Sequence, residues 1–285
     1  MTRARIPFLK AQGAGNDFVV LDEGLTPVPT DLSPMAPIWC CRRTGIGADG
    51  ILVIRRGGSL PAMECWNADG SRAEACGNGL RIVALILSGE KVSEVSIETD
   101  AGVVRVQQRR RDDGEFIAEA SLGSPLLEDP ITVSMGHTTL QAIPVNMGNP
   151  HLVVAIDPEG TPDPVQCYGP TVEHAIAQRA NVGFVRIDAP NRLVLRVWER
   201  GCGETLACGT GAAAAVAALH PSGAIADEVE VQMRGGVLQV RLDSNGGVHV
   251  EGPAKICFEG ELLVAQEHLR PEQKDILPIE SPQSR

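Results

Sequence analysis

The sequence predicts an α/β (α+β) protein of two pseudo-symmetric domains, each containing a mixed sheet and one buried helix. Three observations support this fold class: an internal repeat, short β-rich runs bounded by turn residues, and one long apolar helical pattern in each half. The length of 285 residues suits one large domain or two smaller ones. It is also enough to bury a core without disulfide or metal support.

The internal repeat has two landmarks in each half. The segment GNDFVVLD (15–22) returns as GNPHLVVAID (148–157), and EACGNG (74–79) returns as LACGTG (206–211). Asn149 follows Asn16 by 133 positions, and Cys208 follows Cys76 by 132. Two landmarks from different parts of each half therefore keep nearly one frame, as a duplication produces and as chance similarity between glycine-rich strings does not readily produce.

Each half also shows its own secondary-structure pattern. A glycine-bearing start followed by Ala, Leu and Val predicts buried helices over 77–88 and 209–219, so each repeated cysteine precedes a helix. The polar run 109–114 predicts a hairpin turn, and the tail 266–285 predicts a disordered extension. Strands of antiparallel or mixed sheets are predicted at 50–54, 92–98, 103–107, 116–120, 193–197, 229–233 and 237–241.

The charge balance and hydropathy exclude several classes of partner. Twenty-five Lys and Arg against 36 Asp and Glu give a net charge of −11, which repels phosphate backbones and anionic lipid. No apolar run is long enough to span a membrane, and the first residues lead into no signal-peptide stretch. We therefore expect a cytoplasmic protein that binds neither nucleic acid nor membrane.

Seven of the eight cysteines fall into two groups by their sequence neighbours. The eight cysteines form no CxxC pair and have no histidine at zinc-like spacing, so no metal site is expected. Cys76 and Cys208 stand apart because each precedes a Gly-x-Gly turn at a predicted helix start. Small, buried hydrophobic positions are the prediction for Cys40, Cys41, Cys65, Cys167 and Cys257.

A cysteine at a helix N-terminus is suited to acid–base work. The helix dipole and the unpaired N–H groups there favour thiolate over thiol, and the same N–H groups bind carboxylate. Two such sites, related by a pseudo-twofold axis, would face one ligand from opposite sides, which suits inversion of a stereocentre. The usual alternative, pyridoxal phosphate, needs a Schiff-base lysine, and none of the four lysines lies in the repeats, so chemistry without a cofactor is favoured.

At these residues the sequence resembles the diaminopimelate epimerase family over about residues 8–265. That resemblance implies two α/β domains, each a mixed sheet wrapped around a central helix, with the ligand in the cleft between them. The implied division is 1–123 with a return strand at 254–265, 124–253 as the second domain, and a crossover near 122–126. The motifs that carry it are GAGNDF (13–18), NADGS (67–71), ACGNG (75–79), MGNPH (147–151), ANVGF (180–184), ERGCGET (199–205) and ACGTGAAAA (207–215).

The resemblance also implies an activity and roles for residues. The family interconverts LL- and meso-2,6-diaminopimelate in lysine and peptidoglycan precursor synthesis, with Cys208 here as the base and Cys76 as the proton donor in the LL to meso direction. His151 and Glu199 match polar residues beside the two thiols. Backbone N–H groups for the reacting carboxylate are implied at Gly77, Asn78, Gly209 and Thr210. Further substrate contacts are implied at Asn16, Asn67, Asn149, Asn181, Glu199 and Arg200.

Two positions bear on how far the family pattern extends. Gly50 stands where many relatives carry Gln, so a substrate contact from that side chain is missing. Phe258 matches a strand position often filled by Tyr at the family's dimer contact, so a homodimer is plausible. Two alternatives remain: a related cofactor-free racemase or isomerase for another amino acid or small dicarboxylate, and a thiol redox protein using Cys76 and Cys208 as a dithiol.

Overall fold

The computed structural model describes residues 3–73, 76–89, 91–112, 114–265 and 279–280. The tail 266–285, predicted to be disordered, lies outside the described residues except for a two-residue strand at Ile279–Glu280. That prediction therefore stays untested. Within the described ranges, no helix combines the length and apolar character needed to cross a membrane.

The first half of the chain builds eight strands and two helices. Strand and helix bounds are β1 (Arg3–Gly13), β2 (Asn16–Asp22), α1 (Ala36–Trp39), β3 (Gly50–Arg55), β4 (Ala62–Asn67), β5 (Arg72–Ala73), α2 (Gly77–Ser88), β6 (Ser93–Thr99), β7 (Gly102–Arg110) and β8 (Phe116–Ser121). β2 and β3 are parallel, as are β4 and β6. The pairs β1–β2, β3–β4, β4–β5, β6–β7 and β7–β8 are antiparallel.

The second half repeats this plan. Its elements are β9 (Leu126–Leu127), β10 (Ile131–Met135), β11 (Thr138–Asn146), β12 (Pro150–Ala155), α3 (Pro164–Val172), β13 (Asn181–Ala189), β14 (Arg192–Glu199), β15 (Gly203–Thr205), α4 (Gly209–Leu219), a 3₁₀ turn (His220–Ser222), β16 (Glu228–Met233), β17 (Gly236–Leu242), β18 (Val248–Pro253), β19 (Lys255–Ala265) and β20 (Ile279–Glu280). β12 and β13 are parallel, as are β14 and β16. The pairs β11–β12, β13–β14, β14–β15, β16–β17 and β17–β18 are antiparallel.

The strands from β1 to β8 and from β11 to β18 thus pair in the same order and with the same directions. This identity confirms the predicted mixed, pseudo-symmetric fold. All seven predicted strands and both predicted central helices are present, with bounds that agree to within one to three residues. The polar run lies at the predicted hairpin connection, since β7 and β8 are consecutive antiparallel strands, but Arg109 and Arg110 belong to β7 itself.

Two ladders join the halves. β8 pairs with β18, so one sheet continues from the first half into the second. β19 then returns to the first half and pairs with β1 along almost its whole length. The division into domains, with its crossover near 122–126 and its return strand at 254–265, remains a prediction.

Each central helix lies inside the curve of its own sheet. Helix α2 buries Leu80, Ile82 and Val83 in one core, and the alanine-rich helix α4 is buried along its whole length in another. Alanine is the strongest helix former and has the smallest side chain of a regular helix, so α4 can be wrapped closely by strands. Each sheet covers a second core on its outer face, next to α1 or α3.

The prediction that five of the other six cysteines are small buried positions was partly wrong. Cys40 and Cys65 are buried as expected, and Cys41 is half-buried. Cys167 and Cys257 are exposed. Cys167 lies on the solvent side of α3, and Cys257 lies on β19, which among the described strands pairs only with β1.

The N-termini of α2 and α4 meet at the centre of the molecule. A Cβ atom on Gly77 would lie 3.3 Å from the Cα of Gly209, and one on Gly209 would lie 3.2 Å from the Cα of Gly77. Main chain therefore packs on main chain where the halves touch. This contact leaves no room for larger side chains.

We expect Gly77→Ala to lower the free energy of unfolding by about 1–3 kcal/mol, because the added methyl group pushes against the backbone of α4. Helix propensity alone predicts the opposite, a gain of about 0.5–1 kcal/mol. Urea unfolding measures the sign. Gly57→Ala is the control, since a Cβ there meets nothing within 4 Å. Equal effects of the two substitutions would contradict the importance of the close approach.

Candidate active site

A cavity opens at the junction of the two helix N-termini. Twelve of the thirteen predicted site residues line it: Asn16, Asn67, Cys76, Gly77, Asn78, Asn149, Asn181, Glu199, Arg200, Cys208, Gly209 and Thr210. His151 is the exception and lies behind Asn149. The space open to the centre of a water molecule is about 30 Å³, so the described form is nearly closed.

Cys76 and Cys208 occupy equivalent positions in the two halves. Each is the N-cap of its helix, with extended backbone, and each sulfur accepts a hydrogen bond from the N–H three residues later, at 3.2 Å from Gly79 and 3.3 Å from Gly211. The first N–H groups of a helix have no partner within it, so two sets of donors converge on the cavity. A carboxylate placed there would receive hydrogen bonds from both halves.

In each half, the asparagine of the first repeated segment contacts the start of the central helix. Asn78 Nδ2 donates to Asn16 Oδ1 at 3.0 Å and to the carbonyl of Ala207 at 3.0 Å, so this amide bridges the halves. In the second half, Asn149 Nδ2 lies 3.5 Å from Thr210 Oγ1. The two half-sites therefore share the same pairing, in which an asparagine at the start of β2 or just before β12 contacts the second residue after the cysteine.

The environment of Cys208 is closed and carries negative charge. Burial, followed by the nearby Glu199 carboxyl, raises the pKa of the Cys208 thiol well above its ordinary value. The sulfur also lies 3.5 Å from Thr210 Oγ1. In the empty cavity at neutral pH, Cys208 is therefore a thiol.

Glu199 is itself buried next to this thiol. Burial raises the pKa of Glu199 to about 7. Hydrogen bonds from the Thr205 hydroxyl and from Cys208 favour the carboxylate and partly oppose this rise. Its carboxyl group can therefore change protonation near neutral pH. Such a group responds to small changes in the charge of its neighbours.

His151 is neutral at physiological pH. Burial, together with the charge of Arg200, lowers the pKa of His151 to about 3. Its Nε2 lies 3.0 Å from Asn149 Oδ1, so the neutral ring donates there and fixes the orientation of that amide. His151 Nδ1 is buried without a hydrogen-bond partner among the described residues.

Arg200 and Asn181 are linked to each other in the lining of the cavity. The backbone N–H of Arg200 donates to Asn181 Oδ1 at 3.0 Å, and its guanidinium donates to the carbonyl of Gln178 at 3.3 Å. A forked donor beside the Asn181 amide suits recognition of a carboxylate, and Asn67 lines the same cavity.

The cavity contains further residues that sequence reasoning missed. Phe18, Cys202 and Thr205 lie within the quoted motifs, and Asp49 directly precedes Gly50, so proximity in sequence was the available signal. Cys65 and Ala73 also line the cavity. Cys65 precedes Asn67 by two positions on β4, and alternate residues of a strand share a face.

Two of these residues contact the site residues directly. A hydrogen bond with Cys76, together with burial, raises the pKa of the Cys65 thiol well above its ordinary value. Asp49 accepts from Asn16 Nδ2 at 2.8 Å and is bridged to Asp17 by Arg42. The missed residues therefore form part of the support for Cys76 and Asn16.

Gly50 has a structural reason to lack a side chain. A Cβ there would lie 2.5 Å from the carbonyl oxygen of Trp66 and 3.3 Å from the ring of Phe18. Gly50 pairs with Phe18 in the β2–β3 ladder, as Asn181 pairs with His151 in the β12–β13 ladder. The two half-sites therefore differ here, with an amide in one and only backbone in the other.

Comparison with known proteins places this site in a family. The family model for diaminopimelate epimerase matches residues 8–125 and 143–257. A diaminopimelate epimerase of Acidiphilium cryptum is 43% identical, covering 93% of this chain and 99% of that protein. One from Prochlorococcus marinus is 37% identical, covering 96% of this chain and 97% of that protein.

Solved structures share the fold at much lower identity. A hydroxyproline epimerase from Agrobacterium vitis superposes with a TM-score of 0.73 at 16% identity, covering 96% of this chain and 94% of that one. A probable proline racemase from Agrobacterium radiobacter superposes with a TM-score of 0.71 at 17% identity, covering 94% of this chain and 95% of that one. The two-domain fold is thus shared with these proteins.

The raised pKa of Glu199 predicts a pH dependence of stability. Its pKa is 4.5 in an ordinary setting and about 7 in the fold, so the folded protein holds a proton there that the unfolded chain releases. The stabilisation from this bound proton is complete below the ordinary pKa. It is lost as the pH rises through the pKa in the folded protein, and the free energy of unfolding then falls by up to about 3 kcal/mol. Because the buried, neutral His151 makes stability rise with pH below about 6.5, the fall is measured as the difference in unfolding free energy between wild type and Glu199→Gln, which should shrink as urea unfolding is followed from pH 4 to 8.

The exposed Glu128→Gln is the matched control and should leave the slope unchanged. An identical slope in wild type and Glu199→Gln would show that Glu199 titrates normally.

Proposed function

Because this chain belongs to the diaminopimelate epimerase family, we propose that it interconverts LL- and meso-2,6-diaminopimelate by proton transfer between substrate and the Cys76 and Cys208 thiols, without a cofactor. One observation carries the proposal: two cysteines, each capping a helix, line one cavity from opposite halves of a pseudo-symmetric chain. The assignment as an epimerase follows from the family, and the residue roles are argued from the site.

Binding at the junction prepares the reacting carbon for loss of a proton. The substrate carboxylate receives hydrogen bonds from the N–H groups of Gly77, Asn78, Gly209 and Thr210, at the positive ends of both helices. Removal of the Cα proton delocalises negative charge onto that carboxylate. The same donors stabilise this charge, so their contribution is larger in the transition state than in the ground state.

The two thiols then act from opposite faces of the carbon. In the LL to meso direction, the Cys208 thiolate takes the Cα proton and the Cys76 thiol delivers its own proton to the other face. This leaves Cys208 as thiol and Cys76 as thiolate, and the reverse reaction starts from that form. Each direction therefore needs one ionised cysteine and one protonated cysteine.

Other cavity residues hold the rest of the substrate. Asn16 and Asn149 lie on either side of the reacting centre, and the distal carboxylate is held by Arg200 with Asn67 and Asn181. Burial and the Glu199 carboxyl raise the pKa of the Cys208 thiol, and the neutral His151 fixes the orientation of the Asn149 amide. Because these polar groups are costly to bury unpaired, an analogue that lacks the distal carboxylate loses much of its transition-state stabilisation.

The competing functions make different demands on this site. A racemase for a simple amino acid has no use for Arg200 and its amide neighbours, and the structural matches of that kind are below 20% identity. A dithiol redox protein requires reaction of Cys76 with Cys208 as its turnover. Full epimerase activity under reducing conditions separates that alternative from the present proposal.

The proposal also covers the oligomeric state, the division into domains and the cellular compartment. We assign a homodimer through β19, whose exposed Phe258 packs edge-on against Phe8 with ring centroids 6.2 Å apart, beside the exposed Ile256 and Leu263. The domains are taken as 1–123 with 254–265, and 124–253. The protein is placed in the cytoplasm, in line with its acidic surface and small-molecule substrate.

Substitution of either cysteine tests the proton-transfer roles. Cys76→Ala and Cys208→Ala should each lower epimerase turnover by about 10²–10⁴-fold or more while the fold is kept, because each removes one proton-transfer group. Chiral chromatography of diaminopimelate isomers measures the rate. The control Cys167→Ala changes an exposed thiol on α3 and should behave as wild type. Near-normal turnover in either folded variant would remove that cysteine from the mechanism.

Isotope incorporation tests the use of two bases. In D₂O, the donor thiol carries deuterium before reaction, while the abstracting thiol holds the single proton taken from the substrate. At low conversion the product should be labelled at the inverted centre and the recovered substrate almost unlabelled, as measured by mass spectrometry of separated isomers. Unlabelled product, or substrate labelled as fast as product forms, would refute the two-thiol mechanism.

A further inference from the structure

Arg42 lies outside the site cavity but is joined to its wall by a hydrogen bond. The side chain of Arg42 is 60% exposed and lines a second cavity, whose lining also includes Asp49. Asp49 lines the site cavity as well, so it stands in the wall between the two. The Nη2 group of Arg42 donates to Asp49 Oδ1 at 2.7 Å. An exposed cation thus contacts a carboxylate that belongs to the site.

The loop between α1 and β3 is folded so that Arg42 reaches this carboxylate. Gly47 has a φ of +79°, and a Cβ atom there would lie 3.0 Å from the Cα and 3.3 Å from the Cγ of Arg42. The stem of Arg42 therefore packs against a position that favours glycine. Asp17 accepts from the same guanidinium at 2.7 Å and 3.2 Å. Loop packing and two carboxylates together fix where the guanidinium lies.

The Asp49 carboxylate depends on a nearby positive charge to stay ionised. Burial, followed by the adjacent Asp17 carboxylate, raises the pKa of Asp49 above its ordinary value. Lys10, the second cation of this region, pairs with Asp17 and donates to the carbonyl of Gly47. In the described part of the chain, the ion pair of Asp49 is with Arg42. Arg42 is therefore the group that offsets the cost of burying this carboxylate.

The Asp49 carboxylate determines which way the Asn16 amide faces. An ionised carboxylate only accepts hydrogen bonds, so Asn16 turns its Nδ2 to Asp49 Oδ2, at 2.8 Å. Asn16 Oδ1 then faces Asn78 and accepts from its Nδ2 at 3.0 Å. A reversed Asn16 amide would place two oxygens together and two amide nitrogens together, and Asn78 is held against turning because its Oδ1 accepts from Arg81. The ion pair of Arg42 thus begins a series of hydrogen bonds that ends on the second residue of α2.

The second half holds its corresponding asparagine through a different partner. His151 Nε2 lies 3.0 Å from Asn149 Oδ1, and Asn149 Nδ2 lies 3.5 Å from Thr210 Oγ1. A neutral imidazole therefore orients the amide there. Both halves fix this amide beside the start of the central helix, and in the first half the fixing group is a carboxylate that is paired with an exposed arginine.

We propose that Arg42 is a positioning residue, whose ion pair with Asp49 fixes the Asn16 amide at the start of α2. This role rests on the proposed function, in which Asn16 contacts the substrate and the backbone N–H of Asn78 donates to the reacting carboxylate. Loss of the ion pair frees the Asn16 amide to turn over and displaces these donors. Small misplacements of such groups are costly, so the rate falls although no group that touches the substrate is removed.

Epimerase assays test whether Arg42 acts through Asn16. Arg42→Met should lower kcat by about tenfold or more, because it keeps every cavity side chain but removes the charge beside Asp49. Asn16→Ala removes the amide itself. If Arg42 acts through that amide, adding Arg42→Met to Asn16→Ala should lower kcat no further. The control Arg56→Met breaks the ion pair of another partly exposed arginine, with Asp22, and should leave kcat unchanged.

Amide signals in NMR spectra report the same link without substrate. In the isotope-labelled, full-length protein, the side-chain amide signals of Asn16 and Asn78 are identified by their loss in Asn16→Ala and Asn78→Ala. Both should shift in Arg42→Met, because the bond to an ionised carboxylate and the bond that depends on it both change. In the control Arg56→Met, both should stay at their wild-type positions.

Three results would overturn the proposal. They are unmoved Asn16 signals in folded Arg42→Met, an unchanged kcat in that variant, and an undiminished further loss when Arg42→Met is added to Asn16→Ala. If Arg42→Met fails to fold, Arg42→Lys takes its place, because a single ammonium group cannot hold two carboxylates as the forked guanidinium does and should shift the same signals. Absence of epimerase activity in wild type would refute the proposed function, whereas shifted signals with a normal kcat would refute only the role of Arg42.

Discussion

The contact between two helix N-termini is the constraint on which the site depends. Gly77 and Gly209 approach so closely that their backbones touch, and this brings two sets of unpaired N–H groups to one point. The cysteines that cap the helices are carried there with them. The wrapped sheets, the alanine-rich α4 and the ladder between β8 and β18 all serve to hold this contact in place.

Burial at this contact strongly shifts the pKa values of several polar groups. With little space for water, the Cys208 thiol, the Glu199 carboxyl and the His151 ring each favour the uncharged form. Hydrogen bonds between amides span the junction without adding charge, as between Asn78 and Asn16. The site is therefore set to hold few charges until a ligand brings its own.

Local patterns in the sequence were sufficient for the fold's repeated plan. Turn residues and apolar periodicity located seven of the strands and the two central helices, and the repeat located both cysteines. Short helices such as α1, at Ala36–Trp39, carry too little periodicity for such a prediction. The exposure of Cys167 and Cys257 could not be predicted from residue type, because it depends on which face of α3 and which edge of the sheet each occupies.

The candidate site was predictable wherever a motif carried it, and less so elsewhere. Asn16, Asn149 and Arg200 lie in motifs, and the structure brings them to one cavity. Cys65 lines the cavity from β4, and Arg81 contacts Asn78 from outside the cavity through a side chain that folds back along α2. Neither event leaves a signature in a short stretch of sequence, although a lone arginine in an apolar helix was a visible anomaly.

The duplication has a consequence for how a ligand is oriented. Two identical half-sites would bind a molecule equally well in either direction, because a twofold axis makes its two ends interchangeable. Here the partners across the axis have diverged, and each divergence gives the cavity a distinguishable head and tail. The diverged pairs are Phe18 with His151, Gly50 with Asn181, and Asn67 with Glu199.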